Sequence, residues 1–480
     1  MPTTMKARTL DPDLLVRELG NWRTSSKSGP SYQALADGLR MLIVDGRLPV
    51  GSRLPSERVL AEALRVSRTT VTAAYADLGD SGYLHARRGA RSTVALPHTP
   101  VSVPTATPAA INLASAALAA PASAVQDAFT EAARESAGYL QQTGHDMRGI
   151  LPFREAIAER YCARGLLTEP DQIMVTSGAQ HAIALILTTY VQPGDRVLVE
   201  QPTYHGALSA IATAGARPVP VAMTREGWEL DAVHAAVRQL APTLAYLVPD
   251  NHNPTGFSMP PADRKRICDI VAETRTRTVI DETLTDVWID EPVPPPVAAS
   301  MRTRTDLMIT IGSMSKSFWG GMRIGWIRAE PSVLATIRAV RPSIDLGTSV
   351  VEQLAAARLL TRREEVLPER REILRGRRAL LLELLEQHLP EWRPLPGTGG
   401  MSVWVQLPAP VSSAMCASAS RLGVELPPGP RFGVDGTLER FVRIPFALPE
   451  DELTEAIELL GRAWRSITGS ATVESTAVVI

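Results

Sequence analysis

The sequence predicts a multidomain α/β protein, in which a proline-rich linker separates a small first domain from a much larger second one. Apolar residues recur at helical spacing in the first 80 residues. Short β-branched runs that end in polar residues mark strands of an α/β domain after residue 112. Between these regions, residues 96–108 contain four prolines and no apolar period, which is typical of a stiff, extended connection.

At 480 residues, the chain is long enough for two or three domains with cores of their own. The first 96 residues carry 14 Lys/Arg against 9 Asp/Glu, although the whole chain has a net charge of −1. We therefore expect an anionic partner for the first domain only. The predicted division is an N-terminal extension at 1–30, a first domain at 31–95, a linker at 96–111, a second domain at 112–467 and a flexible tail at 468–480.

The three cysteines are scattered, with neither the spacing of metal ligands nor that of a disulfide framework. No apolar run of the kind found in secretory signals begins the sequence. The most apolar stretch, 110–125, is rich in alanine and contains Pro121, which argues against a membrane span. We expect a cytoplasmic protein without a bound metal ion.

Two short helices joined by a tight turn are predicted in the first domain, after a longer helix over 31–44. Ser56 is the expected N-cap of one and Ser67 of the next, with the turn Arg65–Ser67 between them. Such a pair forms a helix-turn-helix. The stretch from Tyr83 onward then predicts two strands around a basic turn, which is the form of a wing.

The leading end of the second of these helices reads Arg68-Thr69-Thr70, which is small, polar and basic. This end of a recognition helix enters the major groove, where arginine pairs with guanine and threonine meets phosphate or a thymine methyl. Arg58 is expected to brace the domain or meet phosphate. The candidate DNA-contacting residues are Ser56, Arg58, Ser67, Arg68, Thr69, Thr70, Arg87 and Arg88.

This stretch resembles the winged helix-turn-helix of GntR-type bacterial repressors. Their L-P-S-x-R-x-L-A and V-S-R-x-T-V patterns occur here as Leu54–Ala61 and Val66–Val71. The resemblance implies a domain that binds double-stranded promoter DNA. The alternative is a small helical oligomerisation domain with solvated charges, but the pattern, the wing and the local charge together favour DNA binding.

In the second domain, Ser313-Met-Ser-Lys316 followed by Arg323 is the motif with the most specific chemistry. The chain has 46 arginines and only four lysines, so a basic residue without a special task would be arginine. Lysine can lose its proton and form an imine with an aldehyde cofactor, whose phosphate the serines and the guanidinium can hold. The alternative is a helix-initiating serine with an ordinary surface lysine.

Further polar residues follow predicted strands, at the edge where open α/β sheets bind ligands. Asp281 can keep a pyridine ring protonated, and Asn253 can donate to the ring's phenolic oxygen. Ser177–Gln180 opens a helical stretch whose N–H groups can face a phosphate. Tyr204 can stack on the ring face.

The segment from about Leu113 to Ser466 resembles fold-type I pyridoxal 5′-phosphate (PLP) enzymes of the aspartate aminotransferase family, with the motifs in the same order. The resemblance implies a mostly parallel central sheet, a smaller C-terminal α+β subdomain and a homodimer. It implies Lys316 as the catalytic, Schiff-base residue. The cofactor-binding residues that it implies are Lys316, Asp281, Asn253, Tyr204, Ser177, Gly178, Ala179, Gln180, Ser313, Ser315 and Arg323.

Arg443, in Phe441-Val-Arg443-Ile-Pro-Phe446, matches the family's arginine that clamps the α-carboxylate of a substrate or effector. The alternative is a solvated arginine on a strand. The chain also departs from the family, because Thr283 and Leu284 stand where a tyrosine usually touches the cofactor oxygen. A second tyrosine, which reaches the partner subunit's phosphate, is missing before Gly149, and His145 is its expected substitute.

A GntR-type domain, a proline-rich linker and an aminotransferase-like body in this order are similar to the MocR subfamily of transcription regulators. The resemblance implies that PLP, with an amino acid or amine forming an external aldimine, biases the body and so controls DNA binding. One alternative is an active aminotransferase with an appended DNA-binding domain, and another is a scaffold without PLP. The missing tyrosines and the intact helix-turn-helix favour the regulator.

Overall fold

The computed structural model describes residues 12–20, 22, 31–44, 48, 52–85, 92–95, 111–225, 227–434 and 436–474. The chain divides into two compact units, with the division between Ala109 and Ala110. Among the described residues, no helix is both long enough and apolar enough to cross a membrane.

The first unit contains a helix-turn-helix followed by a two-stranded antiparallel ribbon. Both helix starts follow from capping serines: Ser56 Oγ accepts from the N–H of Val59 (3.5 Å), and Ser67 Oγ from the N–H of Thr70 (3.1 Å). Arg65, with a φ of 52°, ends the first of the two helices. The elements of the first unit are α1 (Pro12–Leu19), α2 (Ser31–Val44), α3 (Glu57–Leu64), α4 (Arg68–Asp80), β1 (Leu84–His85) and β2 (Thr93–Val94).

The core of this unit includes a helix that the sequence analysis did not identify. In α1, Leu15 and Leu19 are buried together with Trp22, and they join the core formed by α2 and α4. Leucines at i and i+4 share one helix face, but eight residues are too few to show a period clearly. The predicted extension at 1–30 therefore contributes structure to the first unit.

The second unit is built around an eight-stranded sheet and a smaller antiparallel sheet. Its strands are β3 (Ile111–Asn112), β4 (Ile173–Thr176), β5 (Arg196–Gln201), β6 (Arg217–Thr224), β7 (Gly227–Trp228), β8 (Leu244–Leu247), β9 (Arg277–Asp281), β10 (Met308–Ser313), β11 (Gly325–Arg328), β12 (Arg393–Leu395), β13 (Ser402–Gln406), β14 (Val424–Glu425) and β15 (Phe441–Pro445). Its helices are α5 (Ala122–Glu135), α6 (Leu151–Ala163), α7 (Ala179–Tyr190), α8 (His205–Thr213), α9 (Leu230–Leu240), α10 (Pro261–Thr274), α11 (Met314–Ser317), α12 (Pro331–Val340), α13 (Val350–Thr361), α14 (Arg363–His388), α15 (Ser412–Arg421) and α16 (Glu450–Glu474).

The large sheet has the strand order β4-β11-β10-β9-β8-β5-β6-β7. Every pairing from β10 through β6 is parallel, whereas β11 is antiparallel to both its neighbours and β7 to β6. Alternate residues of β5 enter different cores: Leu198 packs on one face, and Val197 and Val199 on the other. The predicted mostly parallel sheet is confirmed, and both of its faces are buried, as parallel sheets require.

The smaller sheet, β12-β13-β15, forms a third core with α14, α15 and α16. Helix α16 continues to Glu474, beyond position 468, where the sequence analysis placed the start of a flexible tail. No proline interrupts the sequence between Glu450 and Glu474, so nothing ends the helix at the predicted position.

Two loops of the second unit meet backbone against backbone. Gly256, in the turn after β8, lies against Gly397, in the loop between β12 and β13. A Cβ on Gly397 would lie 2.0 Å from the carbonyl carbon of Gly256, which no side chain tolerates. This contact, the glycine joint, brings the turn after β8 of the large sheet against a loop of the smaller sheet, three residues from Asn253.

Candidate functional site

A cavity of about 470 Å³ opens in the second unit where β8, β9 and β10 end. Carboxyl ends of parallel strands are the usual ligand sites of such sheets. The predicted residues that line it are Lys316, Asp281, Asn253, Tyr204, Ala179, Gln180, Ser313, Ser315, Arg323 and Arg443. Ser177 and Gly178, which were also predicted to bind the cofactor, do not line the cavity. They lie next to the guanidinium of Arg323.

Lys316 lies on α11, a single helical turn that begins at the end of β10. Ser313 caps this turn by accepting from the N–H of Ser315 (3.2 Å), while its own hydroxyl donates to the carbonyl of Ile324 (3.1 Å). The Nζ of Lys316 donates to the carbonyl oxygen of Ala116 at 2.6 Å. Burial, followed by the charges of Arg443 and Arg323, lowers the pKa of Lys316 to about 8.

A buried carboxylate also positions the helical turn that carries Lys316. Ser317 donates a hydrogen bond to Asp286 (2.8 Å), and Asp286 accepts from the buried Arg160 (2.9 Å). This pairing holds the pKa of Asp286 below its ordinary value despite its burial. Lys316 therefore stands on a turn that a buried ion pair, Arg160–Asp286, helps to position.

Asp281, the last residue of β9, is buried and accepts two hydrogen bonds. The hydroxyl of Tyr246 donates to Oδ2 at 2.6 Å and the N–H of Thr283 to Oδ1 at 2.8 Å. Burial raises the pKa of Asp281, although both donors oppose the rise. The sequence analysis missed Tyr246. A tyrosine inside an apolar strand could have indicated this role, because a buried tyrosine hydroxyl needs a hydrogen-bond partner.

Arg323 lies at the opposite end of the motif and contacts the turn before α7. Its guanidinium donates to the carbonyl of Ser177 (3.2 Å). A Cβ on Gly178, whose φ is +99°, would lie 3.0 Å from that guanidinium, so a glycine is required there. Gly178 is the N-cap of α7 and provides no side-chain acceptor, which leaves the first N–H groups of α7 available to an anion.

Arg443 on β15 is only 2% exposed, which contradicts the alternative of a solvated arginine. It donates to the carbonyl of Ala114 and to Oδ1 of Asn253 (3.5 Å), and its guanidinium lies 5.0 Å from the centroid of the Phe432 ring. Its Nε is buried without a partner in the described part of the chain. Burial, with Arg431 nearby, lowers the pKa of Arg443 to about 10.

His205, which the sequence analysis did not single out, also lines the cavity. Its ring contacts those of Tyr204 (5.1 Å between centroids) and Phe432 (5.6 Å), edge to face. Burial and the nearby Arg431, Arg443 and Lys316 lower the pKa of His205 to about 4, so the imidazole is neutral near pH 7. Its position directly after Tyr204, a predicted cofactor residue, could have indicated that His205 lies near the cavity.

The departures from the family pattern have different outcomes in the structure. Thr283 and Leu284 line the cavity, and the Thr283 side chain interacts with Asp281, where it opposes the rise of that carboxyl's pKa on burial. The cavity thus has a threonine and a leucine where the family pattern has a tyrosine. His145 is exposed and is not among the residues that line the cavity in the single chain.

These residues fit pyridoxal 5′-phosphate. An amine of lowered pKa, a buried carboxylate and two guanidiniums surround one cavity. The Nε of Arg443, which has no partner among the described residues, is a polar group that a bound ligand would satisfy. The set includes all that the cofactor needs: a nucleophile, a partner for the ring nitrogen and cations for the phosphate.

In the first unit, the candidate DNA-contacting end of α4 is open to solvent. The Arg68 side chain is 72% exposed and lies 3.6 Å from Glu57. Ser67 Oγ lies within 2.8 Å of the hydroxyls of Thr69 and Thr70, so these three form one polar cluster. Arg58 is exposed and Ser56 half-buried. Arg87 and Arg88 lie outside the described residues.

Residues 108–460 match the family model of aminotransferase class I and II. The chain belongs to this family. Residues 31–94 match the model of bacterial regulatory proteins of the gntR family. The chain thus joins a GntR-type helix-turn-helix domain, which implies DNA binding, to an aminotransferase class I and II domain, which implies dependence on PLP. The sequence-based expectation of both domains is confirmed.

Known relatives include both regulators and enzymes. The HTH-type transcriptional regulator YdcR of Escherichia coli is 28% identical over 90% of this chain and 98% of its own length. YisV of Bacillus subtilis, described in the same way, is 28% identical over 81% and 86%. The arginine–pyruvate transaminase AruH of Pseudomonas aeruginosa is 31% identical over 68% of this chain and 83% of its own. The two regulators named here match over most of both chains, which is consistent with the MocR type.

Solved aminotransferases share the architecture of the second unit. The α-aminoadipate aminotransferase LysN of Thermus thermophilus, complexed with N-(5′-phosphopyridoxyl)-L-leucine, matches with a TM-score of 0.69 and 27% identity. The match covers 75% of this chain and 93% of LysN. A kynurenine aminotransferase of Pyrococcus horikoshii matches with a TM-score of 0.70 and 28% identity, over 75% and 92%.

Proposed function

We propose that this protein is a PLP-binding transcription regulator of the cytoplasm. Its aminotransferase-like domain binds PLP through Lys316 and responds to an amino acid or amine, and that response controls DNA binding by the winged helix. The observation that carries the proposal is the convergence of Lys316, Asp281 and Arg443 on one cavity, in a chain that also exposes Arg68 at the start of a recognition helix.

Each residue of the cavity has a separate task toward the cofactor. Bound PLP supplies an aldehyde carbon for amines and a protonated ring that draws electrons from that carbon's neighbours. Asp281 is placed to hold the proton of the ring nitrogen, and Tyr246 and the N–H of Thr283 orient its carboxylate. Asn253 and the hydroxyl of Thr283 are the candidates for the phenolic oxygen, and Tyr204 for the ring face.

The phosphate would be held at the other end of the cavity. Arg323 and the hydroxyls of Ser313 and Ser315 supply a cation and donors there, and the first N–H groups of α7 add backbone donors. Gly178 supports this end by leaving room for the Arg323 guanidinium. Because the N–H of Ser177 already donates to His181 (3.0 Å), Ser177 acts through its carbonyl contact with Arg323 rather than on the phosphate.

An active aminotransferase with a DNA-binding domain is the second candidate, and the 31% identity to the transaminase AruH favours it. Arg443, buried beside Asn253, fits both candidates. A buried guanidinium with a free Nε suits a substrate carboxylate as well as an effector carboxylate. Thr283 in place of the family's tyrosine favours the regulator, because a threonine hydroxyl is a far weaker acid than a phenol near the cofactor oxygen.

We also infer a homodimer, as the family resemblance implies. The second unit exposes several large apolar side chains, which a second copy would cover. Trp319, 39% exposed, lies three residues after Lys316, so a partner that covers it would approach the site. The exposed side chains among the described residues include Leu140, Leu151, Leu167, Trp319, Ile344 and Leu346.

The proposal is tested by titrating the purified protein with PLP while its absorbance is followed, with a labelled promoter fragment in parallel samples. Lys316→Ala is expected to lose the visible band of covalently bound PLP and to keep its fold. Lys265→Ala is the matched control, because Lys265 is exposed and pairs with Asp269 (3.1 Å) away from the cavity. A band that persists in Lys316→Ala shows that the lysine is misassigned. DNA binding that never responds to PLP or amino compounds supports the enzyme instead.

A further inference from the structure

The chain enters the second unit through a short segment that crosses the cavity. We call residues 113–118 the strap. Leu113 and Leu118, at its ends, are buried in the core of the smaller sheet. The four residues between them are small, half-buried or exposed, and all line the cavity. The strap is therefore attached at both ends and held by few side-chain contacts in the middle.

Its first end is joined to the smaller sheet. Strand β3, which precedes the strap, pairs in parallel with β14, and the N–H of Leu113 donates to the carbonyl of Glu425 (2.8 Å). The side chain of Asn112 accepts from the N–H groups of Ala114 (2.8 Å) and Ser115 (3.2 Å). These contacts shape the start of the strap but do not bind it to the cavity.

Two cations of the candidate site hold the middle of the strap. Lys316 Nζ donates to the carbonyl of Ala116 at 2.6 Å, and the Arg443 guanidinium donates to the carbonyl of Ala114. Hydrogen bonds from charged donors are the stronger kind, and here both donors are largely buried. The strap is thus held in place by the two groups proposed to receive the aldehyde of the cofactor and the carboxylate of the effector.

Ligand binding competes with both contacts. A lysine nitrogen bonded to the aldehyde carbon no longer has the ammonium protons that it now donates to Ala116. A carboxylate that pairs with the Arg443 guanidinium takes up the N–H groups now donated to Ala114. An amine that lacks an anionic group leaves the hydrogen bond from Arg443 to the carbonyl of Ala114 in place.

We propose that the strap senses whether the site is filled. Lys316 and Arg443 hold it in the absence of ligand, and PLP bonded to Lys316 would remove the first contact. An effector amine that replaces Lys316 on the cofactor frees the lysine to donate to Ala116 again, while its anionic group takes Arg443, so the Arg443 contact is the one that reports the effector. This inference rests on the proposed function and adds the class of effector: amino compounds that carry a carboxylate or a similar anion. The strap follows the linker in sequence. Loss of its hydrogen bonds would therefore loosen the backbone at the residues where the chain enters the second unit.

Hydrogen–deuterium exchange, read by mass spectrometry on peptides that cover residues 111–120, tests the proposal in the full-length protein. The probes are PLP alone, N-(5′-phosphopyridoxyl)-L-leucine and N-(5′-phosphopyridoxyl)-3-methylbutylamine. The last two differ only by the carboxylate. We expect the leucine adduct to speed exchange of the strap amides roughly tenfold relative to the amine adduct, as for the loss of one charged hydrogen bond. Equal exchange with both adducts, or slower exchange with the leucine adduct, overturns the proposal.

Variants without any ligand test the same contact independently. Arg443→Gln is expected to speed strap exchange, and Arg443→Lys, which keeps a charged donor, to restore part of the protection. Arg440→Gln is the matched control, because Arg440 also donates to a carbonyl, that of Pro408, on the exposed side of β15. Protection of the strap that is unchanged in Arg443→Gln refutes the proposal.

The absorbance of bound PLP separates this inference from the proposed function. If the band forms but strap exchange never depends on the adduct's carboxylate, the strap proposal fails and the PLP-binding regulator stands. If no band forms in wild type and the adducts do not bind, the proposed function fails first.

Discussion

The lowered pKa of Lys316 predicts how covalent PLP binding depends on pH. Only the neutral amine attacks an aldehyde, and burial with two neighbouring guanidiniums lowers the pKa of this amine from 10.5 to about 8. Near pH 7, about one molecule in ten then has a neutral lysine, against about three in ten thousand for an ordinary one. The neutral fraction of Lys316 is thus roughly 300-fold larger than that of an exposed lysine, and we expect covalent attachment near pH 7 to be faster for this reason.

The assay is stopped-flow absorbance at saturating PLP, which isolates the covalent step from binding. The rate is expected to rise about tenfold per pH unit below about pH 7 and to level off above about pH 8. Arg443→Gln removes one cation that opposes protonation of Lys316, so the pKa and the levelling point move to higher pH. A rate that continues to rise up to about pH 10 in wild type would refute the reasoning.

The remaining predictions concern the phosphate, the DNA and the assembly. Arg323→Ala is expected to weaken PLP binding roughly tenfold to a hundredfold through the loss of a charged phosphate contact, measured by fluorescence titration. Arg68→Ala is expected to cost about 1–3 kcal/mol of promoter binding and to relax sequence preference in gel-shift competition, whereas equal binding at matched salt would contradict the regulator. Arg88→Ala is expected to weaken binding to all sequences and to reduce the salt slope by about one. Sedimentation at micromolar concentration is expected to give a dimer, and Trp319→Asp to shift it toward monomer.

Local patterns in the sequence were enough to predict the strand ends and the helix caps. Asp281 ends a β-branched run, and Ser56 and Ser67 precede helical ones, so each position follows from its neighbours in the chain. The family resemblance added their roles toward a cofactor. Burial of Arg443 was not predictable from an R-x-x-F pattern, because it depends on loops distant in the sequence.

Contacts between distant residues account for what the sequence analysis did not find. Lys316 and Ala116 are 200 residues apart, and the contact joins a side chain to a backbone carbonyl, which leaves no sequence signal. Tyr246 and Asp281 lie on neighbouring strands, so their hydrogen bond depends on the strand order and register. Such pairings become visible only when the topology is known.

The glycine joint limits how proteins built on this plan can diverge. Gly256 and Gly397 meet without side chains, so substitutions there cannot adjust the contact by degrees and can only displace it. We therefore expect the turn that carries Asn253 to tolerate substitutions at this contact only if the loop before β13 moves with it. New responses to new ligands are expected to arise at positions that tolerate gradual change, such as Ser115, His205 and Met401 around the cavity. A library that varies those positions and spares the two glycines would sample new specificities in proteins that still fold.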